Sequence, residues 1–178
     1  MVGVGIRQAQ PEDLEEFWEI AFSDPEAPWT ELNGPYFHDE LPTKEEFLNV
    51  VAYKTWLNNK EHLLITNDDK IVGSVSSHFK DGKLAKWLDI GITIYDQNMW
   101  DKNIGGQSLK LFVSYLFNLY DIPHVGLTTW SGNPRMMHLA SKIGMKEEAC
   151  IRKVRFYDGK YYDSVQYGIL RDEWEKLQ

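Results

Sequence analysis

Between Trp100 and Gln107 the chain reads Trp-Asp-Lys-Asn-Ile-Gly-Gly-Gln, and directly afterwards apolar residues recur at helical spacing. Small residues at a helix start let several backbone N–H groups converge on one anion, and the positive end of the helix dipole adds to the attraction. The segment therefore suits a phosphate. It equally suits a tight strand-to-helix turn that binds nothing, since paired glycines make such turns everywhere. Neither G-x-G-x-x-G after an early parallel strand nor the P-loop pattern occurs. The five histidines, His38, His62, His78, His124 and His138, are scattered without the short pairings of a metal site, so no metal is expected. Cys150 is the only cysteine; it excludes an internal disulfide and reads as packing rather than as a nucleophile.

The elements around this turn are legible from period and punctuation. Val2 to Ala9 is strand-like, and Pro11, Glu12 and Asp13 open a helix carrying Leu14, Phe17, Trp18 and Ala21. Ser23 to Pro42 holds four prolines among Trp29, Tyr36 and Phe37, which predicts an irregular but packed wall or lid. Thr43 with Glu46 resembles a capping box before a second helix on Phe47, Val50, Val51 and Leu57. Leu63 to Thr66, Ile71 to Phe79 and Lys86 to Tyr95 then read as an antiparallel meander. A helix striped by Leu109, Phe112, Val113, Leu116 and Leu119 follows the glycine turn. Val125 to Trp130 is a further strand, Asn133-Pro134 caps another helix that stops at Gly144, and Asp158-Gly159 joins strands at Cys150–Tyr157 and Tyr161–Leu170. The sum is an α+β chain.

At 178 residues, against roughly 150 per domain, residues 1–178 are expected to form a single domain. Its formal charge of −8 disfavours nucleic acid as a partner. No apolar run approaches the ~18 residues of a membrane span, and the start lacks the basic, apolar pattern of a secretory signal, so a cytoplasmic address without membrane attachment is expected.

Asp89-Ile90-Gly91-Ile92-Thr93-Ile94, then Trp100 to Gly106, Asn133, and Leu139-Ala140-Ser141-Lys142-Ile143-Gly144-Met145 resemble, in that order, the GNAT superfamily of acyl-CoA-dependent N-acyltransferases. The tail Asp158 to Asp163 with Tyr167-Gly168-Ile169-Leu170 and Glu173-Trp174 is similar to the branch of ribosomal-protein N-terminal alanine acetyltransferases. The resemblance implies a mixed, mostly antiparallel central sheet splayed in the middle, with helices on both faces. It further implies transfer of acetyl from acetyl-CoA to a primary amine, either a small molecule or a protein N-terminus, by direct attack in a ternary complex. A catalytically weak acyl-CoA sensor or interaction module on the same scaffold is the alternative. Monomer and homodimer are both compatible with the sequence.

The resemblance assigns the diphosphate to Trp100, Asp101, Lys102, Asn103, Ile104, Gly105, Gly106 and Gln107. It gives the pantetheine arm to Ile92, Thr93 and Ile94, with Asn133 and Lys142 beside the cofactor. The family loop Q/R-x-x-G-x-G/A puts Trp100 at the Q/R and Asn103 at the first glycine; Asn tolerates left-handed angles, whereas Trp cannot donate what Arg or Gln would. The family's tyrosine acid is replaced by Ala140, with Ser141 next to it. An amine whose pKa is near 10 must shed a proton before attack, and the candidate bases are Asp89 and then His78. The acid surplus favours a cationic acceptor, with Trp29, Tyr36 and Phe37 as an aromatic floor and the acids Glu26, Glu31, Asp39, Glu40, Glu45 and Glu46 near it.

Overall fold

The computed structural model describes residues 3–178. Alternation along the first strands decides how the layers stack. On β2 (His62–Asn67), Leu63 and Ile65 face one helical layer while Leu64 faces the other, and all three are buried. β1 (Val4–Arg7), β2, β3 (Lys70–Phe79) and β4 (Leu88–Ile94) form the expected antiparallel meander. β5 (His124–Trp130) pairs parallel to β4, and the hairpin β6 (Lys146–Tyr157) and β7 (Lys160–Leu170) completes one seven-stranded sheet ordered β1-β2-β3-β4-β5-β7-β6. Asp158 and Gly159 both take positive φ, as a two-residue hairpin turn requires. β6 begins earlier than its apolar residues suggested, and Val2, expected in the first strand, lies outside the described residues.

α3 (Ile104–Leu119) and α4 (Pro134–Lys142) cover one face, burying Leu109, Phe112, Val113, Leu116, Ala140 and Ile143 against Leu88, Ile90, Val125 and Leu127. α5 (Arg171–Lys176) adds Trp174 to the same core. On the other face, α1 (Leu14–Phe22) packs Leu14, Phe17 and Ala21 with Trp29, Phe47, Trp56, Leu64 and Tyr95. Helices on both faces of a mixed sheet are what the sequence resemblance implied.

The second helix departs from expectation in its winding. α2 (Lys44–Glu46), capped by Thr43 Oγ1 accepting from Glu46 N at 3.2 Å, runs into a π-helix over Phe47–Trp56. That segment ends with Leu57 N donating to Ala52 O, five residues back. Its buried residues are Phe47, Ala52 and Trp56, spaced by five and four, and a wider helix brings that spacing onto one face. Val50, expected inward, is 42% exposed.

Arg7 ties β1 to the start of α1 by donating to both carboxylate oxygens of Asp13, at 2.6 and 2.8 Å. These bonds hold the buried Asp13 carboxylate below its ordinary range, so the folded chain binds this proton less readily than the unfolded one. The stabilisation is then complete above about pH 4 and is lost as pH falls through the lowered folded value. Asp13→Asn is expected to cost about 1–2 kcal/mol at neutral pH in urea unfolding, with the gap to wild type closing below about pH 4.

Candidate active site

β4 and β5 share only three rungs: Leu88↔Val125, Asp89↔Gly126 and Ile90↔Leu127. Beyond them β4 continues on β3 as far as Ile94↔Gly73, and β5 continues on β7 as far as Trp130↔Ser164. The two strands therefore part, leaving the open backbone edge of Gly91–Ile94 on one side of a cleft and Thr128–Trp130 on the other. A cavity of about 590 Å³ occupies the fork, continuous from the N-terminus of α3 to the loop before α2.

At the α3 end, Asn103 takes φ +61°, the left-handed position that the sequence required of it, and its side chain does not cap the helix. Its Oδ1 instead accepts from Lys142 Nζ at 2.9 Å, which leaves the first-turn N–H groups of α3 without a side-chain acceptor among the described residues. Gly106 is buried in this turn, and a Cβ there would stand 2.7 Å from Asn103 Oδ1. Trp100 lacks a basic side chain but is firmly placed, its indole N–H donating to Ile94 O at 2.9 Å. Of the expected cofactor residues, Ile92, Thr93, Ile94, Trp100, Asp101, Asn103, Ile104, Gly105, Gly106, Asn133 and Lys142 line the cleft, whereas Lys102 and Gln107 are exposed and do not line it. Asn133 is already engaged: Oδ1 caps α4 at Met136 N (3.0 Å) and Nδ2 donates to Leu32 O (3.0 Å).

The loop before α2 forms the opposite wall. Trp29, Tyr36 and Phe37 all line the cleft, Trp29 buried and Phe37 59% exposed. Trp29's buried indole N–H has no acceptor among the described residues. Tyr36 meets Trp130 edge-on with centroids 5.4 Å apart, and the Arg155 guanidinium lies 4.9 Å from Tyr36 and 5.3 Å from Phe37. Burial raises the Tyr36 phenol above its ordinary range, against the opposing pull of Arg155. Trp130 Nε1 also donates to Leu32 O, at 3.1 Å, and Tyr157 donates to Glu31 at 2.7 Å, so the wall is tied to β5, α4 and β6. Among the six acids considered for this region, only Asp39 lines the cleft.

The catalytic candidates separate. Asp89 sits on the last-but-one rung, 5% exposed and outside the cavity lining. It faces Gly126, where a Cβ would come within 2.5 Å of its Oδ1. Thr128, which does line the cleft, donates its hydroxyl to Asp89 Oδ2 at 2.7 Å and accepts from Lys80 Nζ at 3.1 Å, while Lys80 stands 3.7 Å from Asp89. His78 is exposed on β3, opposite Asp89 in register, and does not line the cleft. Ser141 does not line it either; its hydroxyl donates to Met137 O at 3.1 Å. Ala140 is fully buried in the core. Cys150 proves exposed rather than packed, and desolvation with the neighbouring Asp163 raises its thiol, which leaves it a poor nucleophile. Sequence reasoning missed Thr128, Arg135 and His138 as cleft residues. Arg135 and His138 stand two and five places beyond Asn133 on the helix it caps, and that adjacency was the available signal.

A family model described as an acetyltransferase (GNAT) domain matches residues 4–146. A Bacillus subtilis (strain 168) protein provisionally named ribosomal N-acetyltransferase YdaF is 24% identical over 178 residues, covering 97% of this chain and 93% of that protein. Spermidine N-acetyltransferase of Vibrio cholerae, solved with CoA and spermine, superposes with a TM-score of 0.77 at 16% identity, over 97% of this chain and 98% of its own. A Salmonella typhimurium acetyl transferase that modifies the N-terminal serine of ribosomal protein L7/L12 gives 0.72 at 15% identity, over 96% of each. The ribosomal-protein branch expected from the sequence is thus represented among these relatives. With the forked sheet, the uncapped glycine turn and the family model in agreement, the chain belongs to the GNAT acetyltransferases.

Proposed function

We propose that residues 1–178 act as a single acetyl-CoA-dependent N-acetyltransferase domain that acetylates a primary amine by direct attack in a ternary complex. The observation that carries this reading is the continuous cleft through the β4–β5 fork, with unused backbone donors at one end and an aromatic wall at the other. The residues present suit CoA: the Gly106 turn offers the α3 N–H groups to a diphosphate, Lys142 stands beside it, and the free edge of Ile92, Thr93 and Ile94 can bind an extended amide arm. Bound there, acetyl-CoA supplies a thioester whose carbonyl carbon an amine can attack.

The remaining steps fall to the chain's own groups. Thr128 opens onto the cleft and its hydroxyl already donates to Asp89, so a proton leaving the amine passes, through water and the Thr128 hydroxyl, towards the buried carboxylate. Lys80 orders this pair rather than reaching the cleft. A backbone N–H of β4 near Ile92 stabilises the carbonyl oxygen as it gains negative charge. The new C–N bond replaces the C–S bond, and with Ala140 at the family's tyrosine position the departing thiolate takes its proton from solvent. The amine binds along Tyr36, Phe37 and Trp29, where Asp39 favours a positively charged acceptor, such as a polyamine or a basic N-terminal peptide, over a neutral one. The relatives named for spermidine and for a ribosomal protein support this range. A cytoplasmic setting fits these acceptors, and among the described residues no helix is long and apolar enough to cross a membrane.

Thiol release from acetyl-CoA, assayed across polyamines, aminoglycosides and N-terminal peptides, should show acceptor-dependent turnover; CoA binding with no transfer to any acceptor would sink the enzymatic reading. Asp89→Asn should lower kcat about 100-fold, and Thr128→Val about 10-fold, with the acetyl-CoA KM little changed. An unchanged kcat in both variants removes the relay. Gly106→Ala, whose added methyl must displace Asn103 Oδ1, should weaken CoA binding about 10-fold in calorimetry while the thermal midpoint stays within a few degrees.

A further inference from the structure

The clearest oddity of the cleft is that position 100, where the family loop carries a donor side chain for the diphosphate, holds an indole. The structure places a cation on it. The Arg135 guanidinium, from the first turn of α4, lies 5.0 Å from the Trp100 ring centroid. It is held there by a two-pronged contact with Asp101, Nη1 to Oδ1 at 2.9 Å and Nη2 to Oδ2 at 3.2 Å. Trp100, Asp101 and Arg135 all line the same cavity, next to the uncapped start of α3.

We propose that Arg135 is a diphosphate ligand, delivered from α4 across the Trp100 ring to replace the donor missing at position 100, and that Asp101 holds the guanidinium until the diphosphate displaces it. The proposal rests on the acetyl-CoA reading above. Three observations support it. The indole is a fixed shelf, since its N–H is bonded to Ile94 O and the ring cannot swing away. The planar fork that grips the Asp101 carboxylate has the geometry that matches two phosphate oxygens, which a lysine ammonium does not share. The Arg135–Asp101 pair is half exposed on one side and 79% exposed on the other, and such surface pairs contribute little to stability, so exchanging the carboxylate for a more highly charged anion costs little. Lys142, at the far end of the same helix, flanks the cradle from the other side. The opposing charges on the cleft are Asp101 and Asp39, of which Asp101 is the one in contact with Arg135.

Calorimetric binding of CoA and of pantetheine, which has the same arm without phosphates, separates the possibilities. Arg135→Ala should weaken CoA about 10-fold and leave pantetheine unchanged, with a shallower dependence on salt and an unaltered thermal midpoint. Arg135→Lys should recover only part of the loss, because the ammonium neither stacks nor forks. Asp101→Asn, which frees the guanidinium and removes a negative charge, should tighten CoA about threefold. Wild-type affinity for CoA in Arg135→Ala, or an equal loss for CoA and pantetheine, would overturn the proposal while leaving the acetyl-CoA reading standing. No CoA binding by the wild-type chain would overturn both.

Discussion

Everything in this molecule that can do chemistry depends on two parallel strands that stop pairing. A parallel ladder normally consumes the backbone groups along the facing edges of its two strands, and its side chains read as continuous apolar runs because both faces are covered. Here the ladder closes after the rung Ile90↔Leu127, while the outer edges of both strands remain paired to β3 and β7. The sheet therefore stays rigid around an opening at its centre. A groove built from such a fork presents unspent N–H and C=O groups in a fixed row, and it does so without a mobile loop.

The fork also explains why the buried carboxylate is where it is. Asp89 occupies the last stretch of shared ladder, and Gly126 on the neighbouring strand leaves room for its oxygens. Burying a lone carboxylate is costly unless it is hydrogen-bonded and paired. Thr128 and Lys80 meet both conditions, and Thr128 stands on the first rung position after the strands separate. The contacts that satisfy the carboxylate are the same ones the proposed proton path would use. His78, one strand further out, shares the register of Asp89 but is exposed and is not bonded to Thr128, the residue that reaches the opening.

Much of this was legible in the residues. The meander, the glycine turn, the Asn-Pro helix start and the Asp-Gly hairpin each carry local punctuation that the chain obeys, and Asn103 adopts the left-handed angle its type permits. Less legible were features that depend on contacts between distant segments. The π-helical winding from Phe47 to Trp56 follows from which residues the opposite core accepts, and Val50 looked as apolar as Ala52. The capture of Leu32 O by Asn133, and the resting of Arg135 on Trp100, join residues separated by 101 and 35 positions, so nothing in local pattern could announce them. Ser141 is the opposite case: its hydroxyl is taken up by Met137 O, four residues back in its own helix, a local bond that a helical serine makes readily.

A single carbonyl, that of Leu32, receives both the Trp130 indole and the Asn133 carboxamide. The loop before α2 is in this way pinned at Leu32 to the end of β5 and to the cap of α4. A partition fastened at its midpoint does not swing; it can only breathe on either side of the rivet. In the proposed reaction, acceptors would then be sorted by girth as they approach rather than by a closing movement after they arrive. Beyond the rivet, the stretch from Asn33 to Asp39 meets β5 and β6 through ring contacts, Tyr36 on Trp130 and Arg155 on Tyr36 and Phe37, so the shape of the rim there is set by side chains.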